Sequence, residues 1–312
     1  MTWPAIRIWV VWVGAFLFLM GIFLMFALGM GWPTTRDSCV LESLCYCEWF
    51  DPALVDAGAT GIRQPVNTWS NLYVLITIPI MAYAISRDRM LGRNRNLMCT
   101  DDIVPEIYIC AALFLGLGSM WMHASGAKHV SWADGMSMYV FAGFLLYYTI
   151  NRILFRFDVA RWIRMSLFII AYPMTVLIFT WIGTTGFSSV ALVAILCGAY
   201  GVLEFMRRDM DYHFWRRGWR PWPFNFISEN KAWIFWVIGA GCFVIAMIAR
   251  AISTKVGDWL CFPHSWFQPH GLIWHTGSGA MALMLYFYWR LENVRPGTTV
   301  ATAPLPSEDR WT

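Results

Sequence analysis

Eight stretches of about 20 predominantly apolar residues run along this 312-residue chain, each long enough to cross roughly 30 Å of hydrocarbon as an α-helix. They centre on Val10–Met30, Trp69–Ile85, Pro105–Ala124, Ala133–Ile150, Met165–Ile182, Ser188–Phe205, Trp233–Ile252 and Leu272–Trp289. The overall balance agrees, since 58% of residues are hydrophobic and only 13% charged, about half the charged share of a soluble domain. The fold class read from the sequence is all-α, a polytopic transmembrane helical bundle.

Charge orients the bundle. One alternating set of loops carries Arg87, Arg89, Arg93 and Arg95, then Arg152, Arg156 and Arg161, then Arg207, Arg208, Arg216, Arg217, Arg220 and Lys231, with Arg290 and Arg295 in the tail. The opposite set holds chiefly Arg36, Arg63, Lys128 and Lys255. The positive-inside rule therefore places the first set and both termini in the cytoplasm. The first stretch, preceded only by Arg7 and followed by no evident small-residue cleavage site, reads as an uncleaved signal anchor. Residues 295–312 are polar and contain proline, which reads as a disordered cytoplasmic tail. The segment Tyr212–Phe224, YHFWRRGWRPWPF, interleaves arginine with tryptophan at a membrane boundary; this is an interfacial belt touching anionic lipid and not a nucleic-acid surface. Glu106 and Glu204 are expected to snorkel at the same cytoplasmic end. The chain has no repeat, which weighs against a transporter built from inverted halves.

The cysteines follow the same division. Cys39, Cys45, Cys47 and Cys261 fall in segments assigned outside, where disulfides persist, whereas Cys110, Cys197 and Cys242 lie within spans and Cys99 lies in a cytoplasmic loop. Four cysteines allow three pairings, and sequence does not choose among them. A bridge from the Cys45/Cys47 region to Cys261 is preferred, because it fastens the segment before the second span to the segment before the eighth.

Five of the six histidines, His123, His129, His264, His270 and His275, lie at or beside span ends on that outer face, and Asp134 joins them. Ionisable groups at one depth in an apolar chain are costly unless they pair or bind metal, which marks a functional site. The segment Gly116–Asp134, GLGSMWMHASGAKHVSWAD, reads as a helical hairpin with its tip outside. Ser119 and His123, four apart, share a helical face, and Asp134 enters the next span at comparable depth. The eighth span opens on PHGLIWHTGSG, which supplies His270 and His275 from a non-adjacent helix. Three neutral imidazoles suit zinc and leave a fourth position for water, whose pKa a bound zinc lowers to about 7, making it a nucleophile. A carboxylate that does not ligate is then free to act as general base and later as proton donor. His129 and His264 read as surface or loop residues.

The runs CYCEWF at Cys45–Phe50, QPVNTWSNL at Gln64–Leu72, GLGSMWMH at Gly116–His123 with Asp134 eleven residues on, and CFPHSWFQPHGLIWHTGSG at Cys261–Gly279 resemble the alkaline ceramidase family, from about Cys45 to Trp289. The resemblance implies a seven-helix core with an intramembrane zinc, related to the adiponectin receptors, in residues 33–294. Residues 1–32 then form an extra N-terminal transmembrane anchor. It implies that His123, His270 and His275 hold the zinc, that Asp134 handles protons on the metal-bound water, and that Ser119 supports the metal site or the oxyanion. The reaction implied is hydrolysis of ceramide, or a similar lipid amide in the bilayer, to a sphingoid base and a fatty acid, at a site facing the periplasm or an organelle lumen. The competing expectation is a non-catalytic, receptor-like or lipid-binding membrane protein with a structural zinc.

Two departures bear on this. The family's late histidines are four apart, whereas His270 and His275 are five apart, about 140° beyond a full α-helical turn; both can face one metal only if His270 precedes the regular helix or a bulge intervenes. Pro269 suits a helix start there. The family's acidic calcium cluster is also incomplete: Glu48 matches, but Cys45, Phe50 and Gln64 replace expected oxygen ligands, so no calcium is expected. Asn67, Thr68, Ser70 and Asn71 are expected to cap and pack the start of the second span.

Overall fold

The computed structural model describes residues 7–32, 47–49, 53–54, 57–93, 96–99, 103–215, 232–253 and 259–292, with the side chains at 128, 129, 156 and 208–215 excepted. The pairing of Cys39 and Cys45, the 295–312 tail, most of Tyr212–Phe224 and the side chain of His129 lie outside the described residues.

The chain is an all-α polytopic bundle of an integral, multi-pass membrane protein. Seven helices are long and apolar enough to cross a membrane: α1 (Trp9–Met30), α2 (Pro65–Met90), α3 (Val104–Ser125), α4 (Lys128–Arg156, whose spanning part is Val130–Phe155), α5 (Arg161–Thr184), α6 (Ser189–Trp215, spanning to Arg207) and α7 (Ala232–Ala251). An eighth, α8, starts with the π-helical turn His270–His275 and continues as Thr276–Leu291. It is as long as a span but does not reach the apolarity of the other seven, because it carries two histidines, three glycines and Arg290. Its neighbours are helices and not lipid: Met281, Ala282, Leu285, Tyr286, Tyr288 and Trp289 are all buried.

Lipid exposure sorts the helices. In α3, 72% of the most apolar window is buried, whereas in α1 the figure is 11% and α5, α6 and α7 are nearly as open. The core is therefore α2, α3, α4 and α8, with the other helices outside it. Small residues let the core helices approach closely. A Cβ at Gly118 of α3 would stand 2.8 Å from the Ala133 carbonyl of α4. On α8, a Cβ at Gly279 would stand 2.6 Å from the Tyr73 carbonyl of α2, and one at Gly277 would stand 2.9 Å from the Cys242 carbonyl of α7.

α1 does more than anchor the chain. Its rings Phe23 and Phe26, with Trp32, pack against Trp69 of α2 and Trp121 of α3 at centroid distances of 5.6–6.2 Å. Trp32 Nε1 donates to the Gly61 carbonyl at 2.6 Å, and the Gly61 N–H donates to the Ala27 carbonyl at 2.7 Å. At its other end Arg7 pairs with Glu106 at 2.6 Å.

Glu204 does not snorkel. It is fully buried, where Arg152 and Arg207 each donate to it at 2.8 Å, Thr149 donates at 3.1 Å, and Tyr288 also donates. Glu292 bonds the same two arginines. A carboxylate without these partners would be too costly to bury, so the sequence reading failed by treating Glu204 apart from Arg152, 52 residues away.

Candidate metal centre

His123 lies in the last turn of α3, which Gly126 ends in the left-handed conformation at φ 62°, its N–H bonded to the Met122 carbonyl at 2.8 Å. His270 and His275 begin and end the π-helical turn of α8. A π turn closes its hydrogen bonds five residues on instead of four, so positions five apart come above one another. This bulge is the device that the five-residue spacing requires. The three imidazoles, each at most 2% exposed, meet with centroids 5.1–5.4 Å apart, and one nitrogen of each lies within 4.8 Å of the others. Among the described residues this group can hold a metal ion.

Second partners fix two of the rings. His123 Nδ1 lies 2.7 Å from Gln64 Oε1, and the same amide's Nε2 donates to the Glu48 carbonyl at 2.8 Å. With the amide so oriented, Oε1 accepts, His123 carries its proton on Nδ1, and Nε2 is left with its lone pair. His275 Nδ1 lies 2.7 Å from Ser70 Oγ, whose own hydrogen goes to the Asn67 carbonyl at 3.0 Å. His275 is thus also an Nδ1–H tautomer, and its Nε2 lies 3.3 Å from Ser119 Oγ. A metal-binding histidine characteristically gives its other N–H to such an acceptor. A tetrahedral zinc holds its nitrogen donors about 3.3 Å apart, so donor atoms already within 4.8 Å need only small side-chain rotations to fit it.

The support reaches into the preceding segment. The Glu48 carboxylate accepts the Val66 and Asn67 N–H groups at 2.8 Å each, capping the first turn of α2, in which Pro65 needs no acceptor. Burial holds this carboxyl above its usual pKa range against the opposing effect of those two bonds. Cys47, next to Glu48, is disulfide-bonded to Cys261, and the Trp49 N–H donates to the Pro263 carbonyl at 3.0 Å. Of the pairings left open by sequence, the structure takes the one from the Cys45/Cys47 region to Cys261.

Ser119, His123, His270 and His275 are therefore brought together. Asp134 is buried on α4 beside Ala133, whose carbonyl faces Gly118, so it stands across the α3–α4 contact at the level of Ser119; its carboxylate does not belong to the group of nitrogen donors. His264 is exposed, its ring against Trp49 at 5.4 Å, as expected for a loop residue. Sequence reasoning did not find Gln64 and Ser70 as supports of the imidazoles. Their signal was the polar run through Gln64–Asn71 at the mouth of an apolar span, which was assigned to capping. It also missed Arg250, only 5% exposed at the end of α7, whose guanidinium lies 5.0 Å from the Trp274 ring and whose charge acts on all three imidazoles. Compared with protein-family models, curated proteins and solved structures, the chain matches none.

Proposed function

We propose that the chain is an intramembrane, zinc-dependent amidase that hydrolyses ceramide or a similar lipid amide to a sphingoid base and a fatty acid. The observation that carries this reading is the convergence of three buried imidazoles, two of them held as Nδ1–H tautomers, beside the Ser119 hydroxyl in a bundle built for lipid. His123, His270 and His275 would hold the zinc. When bound, zinc supplies Lewis acidity and makes water at the open position readily deprotonated near neutral pH. Asp134 takes that proton and returns it to the leaving amine as the C–N bond breaks, so one water is consumed and no other reactant is needed. Ser119 donates its hydroxyl hydrogen to the charge developing on the amide oxygen.

An apolar cavity of about 310 Å³ between α6 and α7, lined among others by Leu145, Gly198, Phe243, Met281 and Leu285, supplies room for an acyl chain. Met281 and Leu285 follow His275 by six and ten residues, which puts the cavity about 9–15 Å below the histidines along α8. We place the histidine end on the periplasmic or lumenal side, with both termini cytoplasmic. The Cys47–Cys261 disulfide belongs to an oxidising compartment, and the arginine-rich loops belong to the other. At that other end Cys99 is a free, buried thiol, pushed up to about 12 by burial and the neighbouring Asp88.

The position of Asp134 outside the donor group favours a second reading, in which the metal is structural and the bundle only binds lipid. Hydrolysis of a fluorescent ceramide by the purified, zinc-loaded protein separates the two. The amidase reading predicts turnover that falls by two orders of magnitude or more in Asp134→Asn, about the range of general acid–base catalysis, with zinc retained. Absence of turnover across several lipid amides, with zinc bound, favours the second reading.

A further inference from the structure

Arg250 is a buried cation that the hydrolytic steps do not use. Three observations place it on the rim of the centre. Its guanidinium stacks over Trp274, the neighbour of His275 in the π turn. Gly277, two residues beyond His275, packs on Cys242 and Ala246 of α7, one turn before Arg250. Its charge also acts on all three imidazoles.

α7 runs from this cation directly to the cavity. Trp236, Phe243 and Arg250 are spaced by seven residues, so they share one face of the helix, within about 20° per step, at intervals of about 10 Å. Phe243 lines the cavity and lies 6.4 Å from the Trp274 ring; Trp236 lines its far end, where its Nε1 donates to Tyr200 at 2.9 Å. One helix face thus presents a cation at the metal centre, a bend of aromatic wall below it, and a closed apolar end.

We infer that this face is a binding site for a long-chain monocarboxylate, its head between Arg250 and the histidine centre and its chain lying along Phe243 into the cavity. The inference rests on the amidase reading for its biological meaning, since a fatty acid is the acyl product of that reaction. A divalent metal beside a guanidinium in a low-dielectric site leaves net positive charge that one Asp134 does not balance, and an anionic occupant relieves it. The site therefore retains the acid it produces, and fatty acid inhibits turnover.

The test is equilibrium binding of tritiated palmitate and of the matched alcohol, hexadecanol, to the full chain in nanodiscs, zinc-loaded, for wild type, Arg250→Gln and Arg250→Lys. Zinc content and thermal midpoint serve as folding controls. The expected result is palmitate bound about tenfold or more tighter than hexadecanol by wild type, the discrimination that one charge-assisted hydrogen bond confers. That preference is lost in Arg250→Gln and partly kept in Arg250→Lys. A wild type that binds acid and alcohol alike overturns the inference, and needs no variant to fold. So does an Arg250→Gln protein that keeps the preference, or displacement of palmitate by phosphatidylglycerol at equal concentration, which would mark a general anionic-lipid site. Because binding requires no hydrolysis, a protein that prefers palmitate but never cleaves ceramide contradicts the amidase and leaves the carboxylate site standing.

Discussion

An imidazole offers a metal one nitrogen dependably only when its other nitrogen is held, and here Gln64 and Ser70 do the holding. Each is itself fixed: Gln64 by the Glu48 carbonyl, Ser70 by the Asn67 carbonyl. Gln64→Leu and Ser70→Ala are each expected to weaken zinc binding by about 10–100-fold while leaving the bundle folded. Competition against a chromogenic chelator measures this, and unchanged affinity in both variants would show that the rings are oriented by packing alone. The three histidines, Ser119 and Asp134 were legible in the sequence because they sit at predictable ends of apolar runs. The supports were not, since Gln64 is 59 residues from His123 and Ser70 is 205 from His275, and no local spacing encodes contacts of that range.

At the scale of elements, the π turn His270–His275 reconciles a five-residue spacing with one shared face. The sequence posed this requirement and left two solutions open, an early helix start or a bulge. The choice depends on packing that local pattern does not contain. A Cβ at Gly271 would stand 2.7 Å from Asn67 Oδ1 and 2.9 Å from Ser70 Oγ, so α8 must lie against the start of α2 while both histidines face α3. If the bulge serves only to compensate for the extra residue, deleting Ile273 restores a four-residue spacing that an ordinary helix places on one face. The deletion variant is expected to retain one zinc per chain by elemental analysis, and an alanine inserted after Ile273 is expected to lose it. Zinc lost on deletion and kept on insertion would contradict this account of the turn. α1 is a second element whose role sequence understated. Its aromatic contacts reach Trp69 and Trp121, the neighbours of Ser70 and His123-bearing α3, so it braces the wall behind the centre.

Across the whole molecule, polar chemistry is concentrated at the two ends of the bundle, with an apolar middle between them. One end holds the imidazoles, the disulfide and the Glu48 cap; the other holds Glu204 with Arg152 and Arg207, and Asp88 with Arg290 at 2.6 Å. Hydropathy and charge made the spans readable, yet they could not show that the second cluster is internal, because burial of Glu204 depends on helices α4, α6 and α8 meeting. Glu204→Gln leaves two guanidinium groups short of a buried partner, and is expected to destabilise the fold by about 3–5 kcal/mol, read as a lower thermal midpoint in detergent with zinc stoichiometry unchanged. A midpoint equal to wild type would mean that water reaches this cluster. The central claim is that the three imidazoles form a zinc site that hydrolyses a lipid amide, and it is tested most directly by measuring zinc content and ceramide hydrolysis on the same purified wild-type and His123→Ala proteins. The account predicts about one zinc per chain with turnover in wild type, and loss of both in His123→Ala. Wild-type protein without zinc, or turnover undiminished in His123→Ala, would contradict it.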